Sequence, residues 1–148
     1  MEVPVLYWDN NVAAAVEFFA NVPVTVPVVF SSSCAVYGAP WKPPVSEREL
    51  PAPISPYGRT KLACEQLLVD LGFRTTALRY FNPAGGDESH KDEIHLIPRA
   101  VQAALSGATL KVYGDGSQIR DFLHDPWRFE SAALPIRWLK AKKRALRL

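Results

Sequence analysis

The chain is expected to be an α/β protein built on a partial doubly wound parallel sheet. The apolar, β-branched run Val28-Val29-Phe30 ends in three hydroxyls, Ser31-Ser32-Ser33. A second such run, 75–81, leads into another polar residue, Asn82. Between them lies a helical stretch that carries Tyr57 and Lys61, four positions apart. Short apolar runs closing on polar groups mark buried parallel strands, and in open α/β sheets ligands bind at their carboxyl ends. Strand, helix and strand in that order predict a βαβ unit over 24–81, with the right-handed crossover that such units share.

The remaining elements are read in chain order. Tyr7 to Ala20 has helical apolar spacing, with Asp9 and Asn10 near its start as caps. Residues 24–31 read as the first strand, and Gly38 to Pro56 as a proline-rich surface loop. Pro56 to Leu71 reads as a helix stopped by Gly72, and 75–81 as the second strand. Gly85 to Glu93 is a polar loop whose Asp87, Glu88, Asp92 and Glu93 are solvated charges. His95 to Ser106 reads as a helix with Pro98 in its first turn and Gly107 as its stop. Thr109 to Tyr113 is expected as a short strand, followed by a Gly114-Asp115-Gly116 turn. No internal repeat is visible.

With 148 residues, 48% of them hydrophobic, the chain is of one-domain size and can build a core. The net charge of +2 is unevenly placed. Residues 137–148 hold six of the 17 basic residues and no acid, which leaves 11 against all 15 acidic residues, or −4, in 1–136. A mildly acidic body does not suit nucleic acid. The basic end, interleaved with Trp138, Leu139, Leu146 and Leu148, alternatively reads as a contact for anionic lipid or nucleic acid, against a fraying, solvated terminus. Cys34 and Cys64 have no C-x-x-C or Cys/His spacing, and His90 and His124 match no metal pattern, so no metal is expected. Small buried thiols, no apolar span of 18 residues and no signal pattern lead to the expectation of a cytoplasmic protein without a membrane partner.

Tyr57 and Lys61 lie one helical turn apart on one face, where the ammonium favours the phenolate and makes it a proton acceptor near neutrality. Alone, the pair also reads as a solvated Tyr–Lys contact, and the three serines as a turn with a helix cap. A tyrosine base, an activating lysine and a nearby serine hydroxyl suit reversible oxidation of a secondary alcohol with a nicotinamide cofactor.

Several segments together resemble the extended short-chain dehydrogenase/reductase family, and within it the UDP-glucose 4-epimerases. They are Asp9-Asn10-Asn11-Val12, Phe30 to Gly38, Ser55-Pro56-Tyr57-Gly58-Arg59-Thr60-Lys61-Leu62 and Leu78 to Gly85. His95-Leu96-Ile97-Pro98, Val112 to Gly116 and Arg120-Asp121-Phe122 complete the series, which covers about 4–124 in family order. The resemblance implies a Rossmann-like sheet with bound NAD and the start of a small substrate-binding region, acting on a nucleotide-sugar, UDP-glucose or UDP-galactose. It implies three regions: 1–82 as the later half of the NAD-binding domain, 83–124 as the start of the nucleotide-sugar region, and 125–148 as a divergent basic tail. It also implies a homodimer for a full-length relative.

By the same resemblance, Tyr57 takes the proton of the sugar 4-hydroxyl, Lys61 supports it and bonds the nicotinamide ribose, and Ser33 bonds the 4-oxygen. Asn10 and Phe81 would line the cofactor site. Asn82, His95, Leu96, Tyr113 and Arg120 would hold the nucleotide-sugar, the guanidinium fork suiting a diphosphate. Other readings stay open: Asn82 as a turn residue, Arg120-Asp121 as a surface ion pair, and His95 as a helix N-terminal residue.

Two departures matter. The Gly-rich turn that cradles the pyrophosphate in the family is nowhere in this sequence, which makes the chain an expected fragment, inactive by itself. Residues 127–148 lack family resemblance, as a shifted frame or truncated gene would produce. A sugar-nucleotide dehydratase would need an Asp-Glu after the strand-end hydroxyl, where this chain has Cys34 and Ala35. Another nucleotide-sugar epimerase or a non-catalytic gene remnant are the alternatives.

Overall fold

The computed structural model describes residues 3–40, 44–84, 95–124 and 146–147, which fall into two units. One holds 3–80 with 146–147, the other 81–84 with 95–124. The polar loop expected over Gly85 to Glu93, with His90, lies outside the described residues, as does the tail apart from 146–147.

In the first unit the helix begins earlier than its spacing predicts. Pro4, whose fixed φ suits a first helical turn, opens α1 (Pro4–Tyr7). The chain continues without a break through a π-helical stretch (Trp8–Ala13) into α2 (Ala14–Ala20). Asp9 and Asn10 are therefore interior to the helix and not caps. The π-helical stretch is recorded in the backbone, where Ala14 N–H donates to Asp9 C=O, one residue beyond the α-helical partner.

β1 (Val28–Ser33) starts four residues later than expected and carries all three serines. Pro27 immediately before it cannot donate to a ladder, so the strand begins only beyond it. After β1, Cys34–Tyr37 forms a 3₁₀ turn, capped by the Ser33 side chain, which accepts from Ala35 N–H at 3.2 Å. The long helix α3 (Pro56–Asp70) starts on Ser55, whose hydroxyl accepts from Gly58 N–H at 3.0 Å, with Pro56 as its first residue. It ends in a paired closure: Phe73 N–H donates to Leu68 C=O and Gly72 N–H to Val69 C=O, with Gly72 at φ +79°. Replacing Ser55 with Ala is expected to lower unfolding stability by about 1 kcal/mol, read by urea denaturation. No change in the midpoint would mean that Pro56 alone nucleates the helix.

β2 (Thr75–Tyr80) pairs with β1 in parallel, from Val28 opposite Thr75 to Ser33 opposite Tyr80. The expected parallel βαβ unit is present. β5 (Leu146–Arg147) adds to the other side of β2, antiparallel, with Arg147 opposite Thr76. These two residues were expected in a fraying end; the unpaired N–H and C=O groups of an edge strand provide their partners. β1 has no second neighbour among the described residues.

The core between α3 and the sheet is small. Val36, Tyr37, Cys64, Leu68, Phe73 and Ala77 are buried, along with the polar Ser32, Thr60, Glu65 and Thr75. Phe19 of α2 meets Phe73 edge to face at 5.4 Å, which ties the N-terminal helix to the end of α3.

The second unit contains β3 (Asn82–Ala84), parallel to β4 (Phe122–His124), and α4 (Leu96–Ser106), closed by Gly107. Asn82 thus opens its own strand and does not end β2. The strand expected at Thr109 to Tyr113 does not form: these residues run without a ladder into the turn at Gly114 to Gly116. No described strand offers them an edge. None of the described residues of this unit is fully buried.

Candidate active site

The first unit brings Tyr57 and Lys61 to the carboxyl end of β1. Both are half-buried, and helical spacing puts them on one face of α3. The Lys61 ammonium donates to the Ser31 carbonyl at 3.1 Å and stands 5.7 Å from the Tyr57 ring centroid and 5.3 Å from that of Phe30. Burial penalises its charge and holds its pKa below the ordinary lysine value, with Cys64 partly opposing the shift. Tyr57 also packs edge to face on Tyr7 of α1 at 5.9 Å. Ser33 closes the same strand end, two residues beyond the carbonyl that Lys61 reaches. Its hydroxyl is engaged by Ala35 N–H.

Gly58 is what allows α3 to start so close to this strand end. A Cβ there would lie 2.5 Å from the Ala35 carbonyl oxygen and 3.1 Å from Pro53 Cβ. Thr60 links α3 to the π-helical stretch: its hydroxyl accepts from Asn11 Nδ2 at 2.9 Å and donates to Tyr57 C=O at 2.8 Å. Asn11 C=O in turn receives the Cys64 thiol at 3.5 Å. The π-helical stretch is therefore fastened to α3 beside Tyr57, while the neighbouring Asn10, expected to line the cofactor site, is exposed.

A buried ionic cluster escaped the sequence reading. Glu65, one turn beyond Lys61, pairs with Arg79 through both of its oxygens, Nε to Oε1 measuring 3.0 Å, and accepts from the Ser32 hydroxyl. Arg79 lies over the Tyr37 ring at 4.8 Å. Burial lowers the Arg79 pKa, but the hydrogen bonds and charge of Glu65, with Tyr37, outweigh it and carry the guanidinium above its ordinary value. The available signals were a carboxylate on the Tyr57–Lys61 stripe and an arginine inside an otherwise uncharged strand.

The second unit forms an open groove of about 1210 Å³. Asn82, His95, Leu96, Tyr113 and Arg120, all expected to hold a nucleotide-sugar, line it, and so does Phe81, expected at the cofactor. Asn82 is oriented by Asp121, whose carbonyl accepts from both its N–H and its Nδ2, at 3.2 and 2.9 Å. His95 precedes the first residue of α4 and receives Arg99 N–H on its carbonyl at 3.2 Å. Lys111 stands over the Tyr113 ring at 4.9 Å, and Arg120 Nη1 donates to Ile119 C=O at 3.0 Å. Lys111 and Arg99 line the groove as well and were not expected there. With Arg120 they make it cationic, as an anionic ligand requires.

The first unit thus sets a Tyr-x-x-x-Lys helix at the carboxyl end of a parallel strand pair, and the second holds a cationic groove. The chain belongs to the NAD dependent epimerase/dehydratase family, whose model matches residues 1–125. It is 42% identical over 140 residues to the UDP-glucose 4-epimerase of Rhizobium meliloti (strain 1021), which covers 82% of this chain and 43% of that relative. Among solved structures, the UDP-glucose 4-epimerase of Brucella ovis in complex with NAD superimposes with a TM-score of 0.68 at 41% identity, over 82% of this chain and 43% of that one. The UDP-N-acetylglucosamine 4-epimerase of Methanobrevibacter ruminantium M1, in complex with UDP-N-acetylmuramic acid, gives 0.71 at 38% identity, over 82% and 41%. The chain spans less than half the length of these relatives.

Proposed function

We propose that this chain carries the proton-handling and nucleotide-sugar part of an NAD-dependent UDP-glucose 4-epimerase, interconverting UDP-glucose and UDP-galactose through a 4-keto sugar. The observation that carries the reading is the Lys61 ammonium set between the Ser31 carbonyl and the Tyr57 ring at the end of β1. In this reading the Tyr57 oxygen takes the proton of the sugar 4-hydroxyl and returns it after the sugar has turned over. The Lys61 ammonium stands beside the Tyr57 ring to support the transfer, and the Ser33 hydroxyl, exchanging its Ala35 partner, bonds the 4-oxygen. Asn82, His95, Leu96, Tyr113 and Arg120 bind the nucleotide-sugar.

NAD, when bound, supplies the hydride acceptor and donor. Among the described residues of the first unit, Lys61 would donate to its ribose hydroxyls and Asn10 would line the same end; Phe81, also expected at the cofactor, belongs to the second unit. The pyrophosphate has no Gly-rich turn in these 148 residues. The isolated chain is therefore expected to bind NAD poorly and to be inactive, and calorimetry showing micromolar affinity would overturn this. Both cysteines are thiols, which supports a reducing, cytoplasmic setting. No helix among the described residues is long and apolar enough to cross a membrane. Exposed Val5, Val16, Phe18 and Val69 support a homodimer in the full-length protein.

The activity is tested in a chimera in which residues 1–124 replace the matched segment of the Rhizobium meliloti relative. The chimera is expected to convert UDP-galactose to UDP-glucose. Tyr57→Phe in it should lower turnover by about 10²–10⁴-fold with NAD still bound. Unchanged turnover would remove Tyr57 from the base role, and preference for UDP-N-acetylglucosamine would reassign the substrate.

A further inference from the structure

We propose that Glu65 is a positioning residue for the Tyr57–Lys61 pair, fixing α3 against the ends of β1 and β2 through Ser32 and Arg79. The inference rests on reading Tyr57 and Lys61 as the proton-handling pair. Residues 57, 61 and 65 form one stripe along α3. Its last two members grip consecutive residues of β1: Lys61 the carbonyl of Ser31, Glu65 the hydroxyl of Ser32. Ser32 and Arg79 are themselves register partners in the parallel ladder. The Glu65 carboxylate therefore bridges the two strands: Oε1 accepts from Ser32 Oγ and Arg79 Nε, and Oε2 from Arg79 Nη2.

This arrangement controls something the apolar contacts do not. Leu68 and Ala77 are fully buried between helix and sheet, but burial is non-directional and tolerates small slides and rotations. A guanidinium fork on a carboxylate has one geometry, and the Tyr37 ring backs the guanidinium at 4.8 Å. Well-packed apolar replacements of buried ion pairs often preserve or raise stability. Alignment is thus the property that the ionic cluster supplies and an apolar one would not. A displacement of about 1 Å at a reacting group can cost about 10² in rate, so the requirement is severe.

The test uses this chain without ligand, so that failure of the epimerase reading leaves its outcome intact. The Lys61 amine is titrated by NMR in the wild type, where burial holds its pKa below the ordinary lysine value. In the apolar double variant Glu65→Leu/Arg79→Leu, the thermal midpoint is expected to stay within about 5 °C of wild type. The Lys61 titration should nevertheless move up towards that of a free lysine, because the ammonium is no longer held in its half-buried place and regains solvent, which outweighs the lost bond to the Ser31 carbonyl. Ser32→Ala leaves the ion pair in place and should move the titration the same way, while Ser32→Thr, which keeps the hydroxyl, should not. Should the double variant fail to fold, Ser32→Ala against Ser32→Thr decides. An unchanged Lys61 titration in folded Ser32→Ala or in the folded double variant would overturn the proposal and leave Glu65 with a purely structural role.

Discussion

Arg79→Ala is expected to unfold the first unit, or to bring it close to unfolding at room temperature. Its side chain is 8% exposed and that of Glu65 is 3%. Truncating the guanidinium leaves a buried carboxylate with the Ser32 hydroxyl as its remaining donor among these contacts, and losing one partner of a buried pair costs about 3–5 kcal/mol. Folded domains have about 5–15 kcal/mol in total. With six buried apolar residues among those described, this unit sits towards the low end. Urea denaturation followed by circular dichroism measures the loss. A change below about 1 kcal/mol, the worth of an exposed ion pair, would contradict the burial of this cluster.

Gly58→Ala is expected to abolish function while leaving helix content nearly intact. Alanine is the better helix former by about 1 kcal/mol. The added Cβ, however, would lie 2.5 Å from the Ala35 carbonyl oxygen and 3.0 Å from its carbon, which are backbone atoms that cannot rotate away. The start of α3 must then retreat from the 3₁₀ turn after β1, at an overpacking cost of about 1–3 kcal/mol. Tyr57, the adjacent residue, moves with it. In the chimera, turnover should fall about 10²-fold or more. Gly72→Ala is the control: its φ is +79° but no atom lies within 4 Å, so it should cost about 1–2 kcal/mol and leave turnover unchanged. Full turnover in folded Gly58→Ala would show that the close approach does not position Tyr57.

Much of this site was legible before folding. The alternation of apolar runs and hydroxyls placed β1 and β2 within a few residues, and Ser55-Pro56 and Gly72 bracketed α3, because caps and stops act through bonds to the nearest backbone. Thr109 to Tyr113 shows the limit. Its apolar residues suit a strand, but a strand exists only where another offers its edge. Asp9 and Asn10 mark the same limit at the N-terminus. Both are good caps by type, yet Pro4 starts the helix earlier and leaves them inside it.

Residue order by itself determined the parallel βαβ unit, the Tyr57–Lys61 stripe and the family, since periodicity, caps and motif spacing are local properties of the chain. Tertiary structure alone decided which strand carbonyl Lys61 reaches, that Glu65 spans two strands between Ser32 and Arg79, and that Asn82 pairs beside Phe122. These contacts join residues 14 to 40 positions apart. Such pairings depend on where the packed backbone brings two groups, and a buried charge is tolerated only where that packing supplies its partner.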